Sequence, residues 1–120
     1  MAESLFFVHD DPSVAEEIAA PYRASGWDVA CANPSDADVL ERMVEAQPLA
    51  TIFCLDGCRM DAASDLAREV GSDPRCLRPL MVFLGGDTDS VARARSEVPV
   101  GLFVRPSELP WMLKHLTYKG

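Results

Sequence analysis

Five short apolar runs recur along the chain with helix-like stretches between them: Leu5–Val8, Trp27–Ala30, Ala50–Leu55, Leu80–Leu84 and Val100–Val104. Each has the length of a strand rather than of a helix. The third and fourth are apolar nearly throughout, which suits strands covered on both faces. Strands that alternate with helices are satisfied by a parallel sheet, because each return to the sheet's starting edge needs a right-handed crossover helix. The pattern therefore predicts a three-layer α/β/α fold with five parallel strands and five helices, and it contains no internal repeat.

The helix signals have identifiable ends. The first helix follows Asp11-Pro12-Ser13, with proline in the first turn behind an acidic cap. Its apolar line is Val14, Ile18 and Tyr22, and Pro21 predicts a kink or an early end. The second spans about Ser35 to Ala46 with Val39, Leu40, Met43 and Val44 inward, and the third about Ala62 to Val70, closed by Gly71. The fourth, about Thr88 to Glu97, has a thin apolar face of Val91, Ala94 and Val98. The fifth begins near Ser107, where Leu109, Met112, Leu113 and Leu116 keep helical spacing.

Composition narrows the function classes. The 120 residues suit one domain, 1–120, and 48% hydrophobic residues are enough for its core. No effector domain is expected after the fifth helix. Acidic residues outnumber basic ones 19 to 11, for a net charge of −8. That field opposes a phosphate backbone, so no nucleic-acid partner is expected. No apolar run approaches the roughly 20 residues that cross a bilayer, and Leu5–Val8 is too short for a signal-peptide core. A cytoplasmic protein with no membrane partner is the expectation. Cys31, Cys54, Cys58 and Cys76 form no Cys-x-x-Cys pair, so they are expected to be reduced.

In open parallel sheets, ligands bind beyond the carboxyl ends of the strands. Strand one is followed by His9-Asp10-Asp11-Pro12-Ser13, strand three by Asp56-Gly57-Cys58, strand four by Gly85-Gly86-Asp87-Thr88 and strand five by Arg105-Pro106. A nucleotide fold would place a glycine-rich turn after strand one to bring amides against phosphate. Carboxylates there favour a cation instead, which argues against a flavin or nucleotide. Asp10 with Asp56 offers two carboxylates, a minimal Mg²⁺ site completed by waters and a carbonyl. Asp11 is assigned to the helix cap, with the metal as a further candidate role. Arg105 supplies one basic side chain, expected to pair with Asp56 or Asp10 in the metal-free state. His9 is expected as a hydrogen-bonded strand-end histidine.

Phe6-Phe7-Val8-His9-Asp10-Asp11-Pro12-Ser13, Ile52-Phe53-Cys54-Leu55-Asp56, the segment Pro79 to Gly86 and Val104-Arg105-Pro106, in that order and at those separations, resemble the receiver domain of bacterial two-component response regulators. The resemblance covers nearly the whole chain and implies a CheY-like (flavodoxin-like) sheet of order 2-1-3-4-5. It implies that Asp56 accepts a phosphoryl group from a histidine kinase, that Asp10 and Asp56 hold Mg²⁺, and that the backbone carbonyl of Cys58 is the third metal contact. It also implies a signalling module rather than an enzyme, switching a surface made of the fourth and fifth helices and the fifth strand.

The chain departs from the family inside the site. His9 stands where the first of two adjacent acids is usual, and Arg105 where a lysine is usual, a planar fork in place of a compact ammonium. Leu84 and Gly85 offer no hydroxyl at the end of strand four, leaving only a backbone amide for the phosphoryl group. Leu102 stands at the position of the switching aromatic, and Asp56-Gly57-Cys58-Arg59-Met60-Asp61 replaces the usual Met-Pro-Gly run. These departures fit an atypical receiver. The alternative they leave is a degenerate pseudo-receiver acting as a phosphorylation-independent interaction module. On the fifth helix, Trp111 lies opposite the apolar line, with Tyr118 seven residues on and Lys114 and His115 beside them. This predicts a partner surface or a homodimer contact through the fourth and fifth helices.

Overall fold

The computed structural model describes residues 3–56, 60–76, 80–98 and 101–117. The strands are β1 (Ser4–Val8), β2 (Asp28–Ala32), β3 (Ala50–Cys54), β4 (Met81–Leu84) and β5 (Leu102–Val104). The helices are α1 (Pro12–Ala24), α2 (Val39–Ala46), α3 (Met60–Ser72), α4 (Thr88–Glu97) and α5 (Leu109–Thr117). All strand pairs are parallel, in the order β2-β1-β3-β4-β5, as the sequence predicts.

Strand side chains alternate between two cores because successive residues point to opposite faces. Phe6 and Val8 of β1, Phe53 of β3, and Met81 and Phe83 of β4 pack with residues of α2, α3 and α4. Leu5 and Phe7, Ile52 and Cys54, and Val82 and Leu84 pack against α1 and α5. Runs apolar at every position are therefore what this sheet requires. On the α3/α4 face the rings of Phe53, Phe83 and Phe103 stack in series at 5.1 Å centroid spacing. Each such contact is worth about 1 kcal/mol beyond its burial.

Several boundaries differ from the sequence expectation. Helix α1 does not end at Pro21. Proline costs it one donor, but Ser25 closes the turn by donating its N–H and its Oγ–H to the Pro21 carbonyl. Strand β2 begins after Trp27, whose N–H is taken by the Tyr22 carbonyl. Helix α2 starts at Val39 rather than Ser35, because Asn33 Oδ1 accepts from Ser35 N–H and its carbonyl from Asp36 N–H, forming a polar turn first. Helix α3 runs past Gly71 to Ser72, and Asp73 N–H donates to the Glu69 carbonyl. No helix among the described residues is long and apolar enough to cross a membrane.

Candidate functional site

The sheet order places the strand-order reversal between β1 and β3, where crossovers leave in opposite directions and open a crevice at the carboxyl ends. Val8 lies opposite Phe53 in the β1–β3 register. Asp10 and Asp56 thus follow adjacent strands at the same edge, two and three residues beyond paired positions. Asp56 is exposed and Asp10 half-buried. The Asp10 carbonyl accepts from Asn33 Nδ2 at 3.0 Å, which ties the β1 loop to the β2 loop.

His9 and Asp11 are engaged locally. His9 is buried, its N–H extends the β1–β2 ladder to the Ala32 carbonyl, and its Nδ1 accepts from Asp11 N–H at 2.8 Å. A neutral imidazole whose Nδ1 accepts carries its proton on Nε2, so this ring faces other groups as a donor rather than as a metal ligand. Asp11 Oδ1 accepts from Ser13 N–H at 2.9 Å, capping α1 as expected.

Gly85, at the end of β4, meets Asp56 directly. A Cβ on Gly85 would lie 2.3 Å from Asp56 Oδ2, and the residue sits at φ +74°. Here glycine is required twice, by the left-handed backbone and by the carboxylate occupying its side-chain space. The missing hydroxyl is thus part of how Asp56 is seated. The Gly85 amide is committed to the sheet, donating to the Val104 carbonyl at 3.0 Å.

Arg105 requires a correction. It is exposed, and among the described residues it forms no ion pair with Asp56 or Asp10. Its backbone is fixed instead, because Arg105 N–H donates to Glu108 Oε1 and Glu108 N–H to the Arg105 carbonyl, closing a 3₁₀ turn over Pro106–Glu108. The side chain still lines the same cleft as Asp56.

Among the described residues, no three His, Cys, Asp or Glu side chains gather as a metal cage. Asp10 and Asp56 offer only hard carboxylate oxygens, a donor set that suits a largely hydrated Mg²⁺ better than a transition metal. Cys58 lies outside the described residues, as does Tyr118. Cys31 and Cys76 are free thiols, and burial pushes both above their ordinary range.

On α5, Leu109 and Leu113 are buried and Trp111 is 64% exposed, its ring stacked on His115 at 4.2 Å. Lys114 is exposed beside them. Leu102 is also exposed, while its neighbour Phe103 packs inward against Phe83.

No family model and no curated relative matches the chain. Solved structures do. A CheY-like receiver domain from Methylobacillus flagellatus superposes with a TM-score of 0.76 at 16% identity, covering 97% of this chain and 99% of that one. The chemotaxis protein CheY4 of Vibrio cholerae gives 0.75 at 14% identity, covering 97% and 99%. The chain therefore has the fold of response-regulator receiver domains. A de novo designed Rossmann 2x3 protein matches at 0.68 with 16% identity, covering 99% and 97%, so the likeness speaks for architecture and the site must carry the function.

Two functional features escaped sequence reasoning. Arg95 lies over the Phe103 ring at 5.0 Å, a contact between α4 and β5 that no local spacing reveals. The approach of Asp56 to Gly85 joins β3 to β4, and the only hint in the sequence is the Gly85-Gly86 pair.

Proposed function

We propose that this chain is an atypical receiver of a two-component phosphorelay, taking a phosphoryl group on Asp56 from a histidine kinase and switching a partner-binding surface. The observation that carries the reading is the juxtaposition at one sheet edge: Asp10 and Asp56 follow adjacent strands, and the Asp56 carboxylate lies against a side-chain-free Gly85. That leaves an exposed nucleophile past β3, with a second carboxylate past the adjacent strand at the sheet's reversal point.

In the transfer, an Asp56 Oδ attacks phosphorus and the donor's phosphorus–nitrogen bond breaks. The leaving imidazole nitrogen takes a proton, and an acyl phosphate remains on the chain. Little covalent work falls to the protein beyond positioning and charge neutralisation. Asp10 and Asp56, with the Cys58 carbonyl as the resemblance implies, would hold Mg²⁺, which would supply most of that neutralisation. Arg105 contributes the nearby cation from the end of β5, and His9 shapes the β1 loop without taking a metal position. Gly85 keeps the space beside the carboxylate open. The signal passes to a kinase or other signalling protein. The exposed Trp111–His115 face of α5, with Lys114, is where we place that contact or a homodimer through α4 and α5.

The test is intact-mass measurement after incubation with Mg²⁺ and acetyl phosphate or phosphoramidate. A phosphoryl adduct that disappears in Asp56→Asn is the expected result. No adduct, or one that persists in Asp56→Asn, overturns the reading and leaves the fold as an interaction module.

A further inference from the structure

Past the phosphoacceptor edge, the cleft opens between α4 and β5 into a cavity of about 830 Å³, within the size range of small-molecule sites. Its apolar wall comes from Val91 of α4, from Val104 and Pro106, and from the half-buried Phe103. Two guanidiniums also line it. Arg95 lies over the Phe103 ring at 5.0 Å, and Arg105 stands at the end of β5. Among the described residues neither forms an ion pair.

The carboxylates along the rim are not equivalent. Asp87 Oδ1 accepts from Ser90 N–H at 2.7 Å, and Glu108 Oε1 accepts from Arg105 N–H at 3.0 Å. Asp56 follows β3, two strands from β5 in the sheet, about 10 Å at ordinary strand spacing. Asp56 therefore stands at the β3 end of the cleft and the two guanidiniums at its β5 end, where Glu108 also lines it.

We propose that this β5 end binds a small organic carboxylate, its apolar body against Val91 and Pro106 and its carboxylate between Arg95 and Arg105. A guanidinium fork matches a carboxylate in shape as well as charge. A monoanion is favoured over a dianionic phosphate ester because Asp56 shares the cleft and the whole chain carries −8. The site does not require Asp56 to accept phosphate, so it stands or falls apart from the proposed function.

The experiment is calorimetric titration of the full chain with 2-naphthoate, with neutral 2-naphthylmethanol as the control ligand. Expected are saturable binding of the acid and none of the alcohol. Arg95→Gln weakens binding about tenfold, the scale of one charge-assisted contact, and Asp56→Asn tightens it. Arg68→Gln, which removes the same charge from α3, leaves binding unchanged. Circular dichroism establishes that each variant is folded, and if Arg95→Gln is not, Arg95→Lys, which keeps the charge and loses the fork, must still weaken binding. No saturable binding overturns the proposal, as does equal binding of the alcohol or equal loss in Arg68→Gln and Arg95→Gln.

Discussion

Replacing Gly85 with alanine perturbs a residue that lies against the Asp56 carboxylate. Two costs follow from the structure. The backbone at φ +74° is left-handed, which costs a residue with a Cβ about 1–2 kcal/mol. The new Cβ would also lie 2.3 Å from Asp56 Oδ2, so the carboxylate must leave its rotamer at a cost of about 1 kcal/mol. The sum is about 2–3 kcal/mol, a fall of about 1–2 M in urea midpoint for a domain of this size. The second cost is separable, because it needs the carboxylate. In an Asp56→Ala background, Gly85→Ala should cost only the backbone strain, giving a coupling of about 1 kcal/mol between the two positions. Urea unfolding of the four proteins followed by circular dichroism measures it. Additive effects would mean that Asp56 does not lean on Gly85, and a Gly85→Ala variant as stable as the parent would remove the left-handed turn as well.

Three further outcomes follow from the same geometry. Leu113 is 1% exposed between α5 and the sheet, so Leu113→Ala should cost about 3 kcal/mol, and a loss under 1 kcal/mol would show α5 to be loosely docked. Asp11→Ala removes the α1 cap and should cost about 1 kcal/mol, with Asp11→Ser restoring most of it; equal stability of all three would deny the cap. The carboxyls of Asp73, beside the Arg75 side chain, and of Asp87, which accepts from Ser90 N–H, are held below the usual carboxylate range. A group whose pKa is lower folded than unfolded stabilises the fold above its unfolded value, near 4 for aspartate, and loses that contribution as pH falls through its folded value. Urea midpoints should therefore fall as pH drops below about 4, and fall less in Asp87→Asn; a flat profile would contradict the assignment.

The sheet was legible because its evidence is local. Phe6-Phe7-Val8 and Ile52-Phe53-Cys54 are apolar on successive residues, which only a strand covered on both faces can use. The strand ends then indicated where Asp10 and Asp56 would lie. Helix boundaries were less legible because side-chain hydrogen bonds set them: Asn33 delays α2 and Ser25 carries α1 past Pro21. Arg105 was misjudged for a related reason. Its charge promised an ion pair, but the Glu108 carboxylate that meets this residue bonds its backbone N–H. The commitment of the Gly85 amide to Val104 depends on the β4–β5 register, which a sequence does not display.

The central claim is that Asp10 and Asp56 serve one cation site at the carboxyl edge of the sheet. Titrating the uniformly ¹⁵N-labelled protein with Mn²⁺, a paramagnetic stand-in for Mg²⁺, tests it most directly. The account expects the amide signals around Asp10 and around Asp56 to broaden together along one saturation curve, and Asp56→Asn to weaken both effects. Broadening confined to one of the two loops, or separate curves for each, would contradict it.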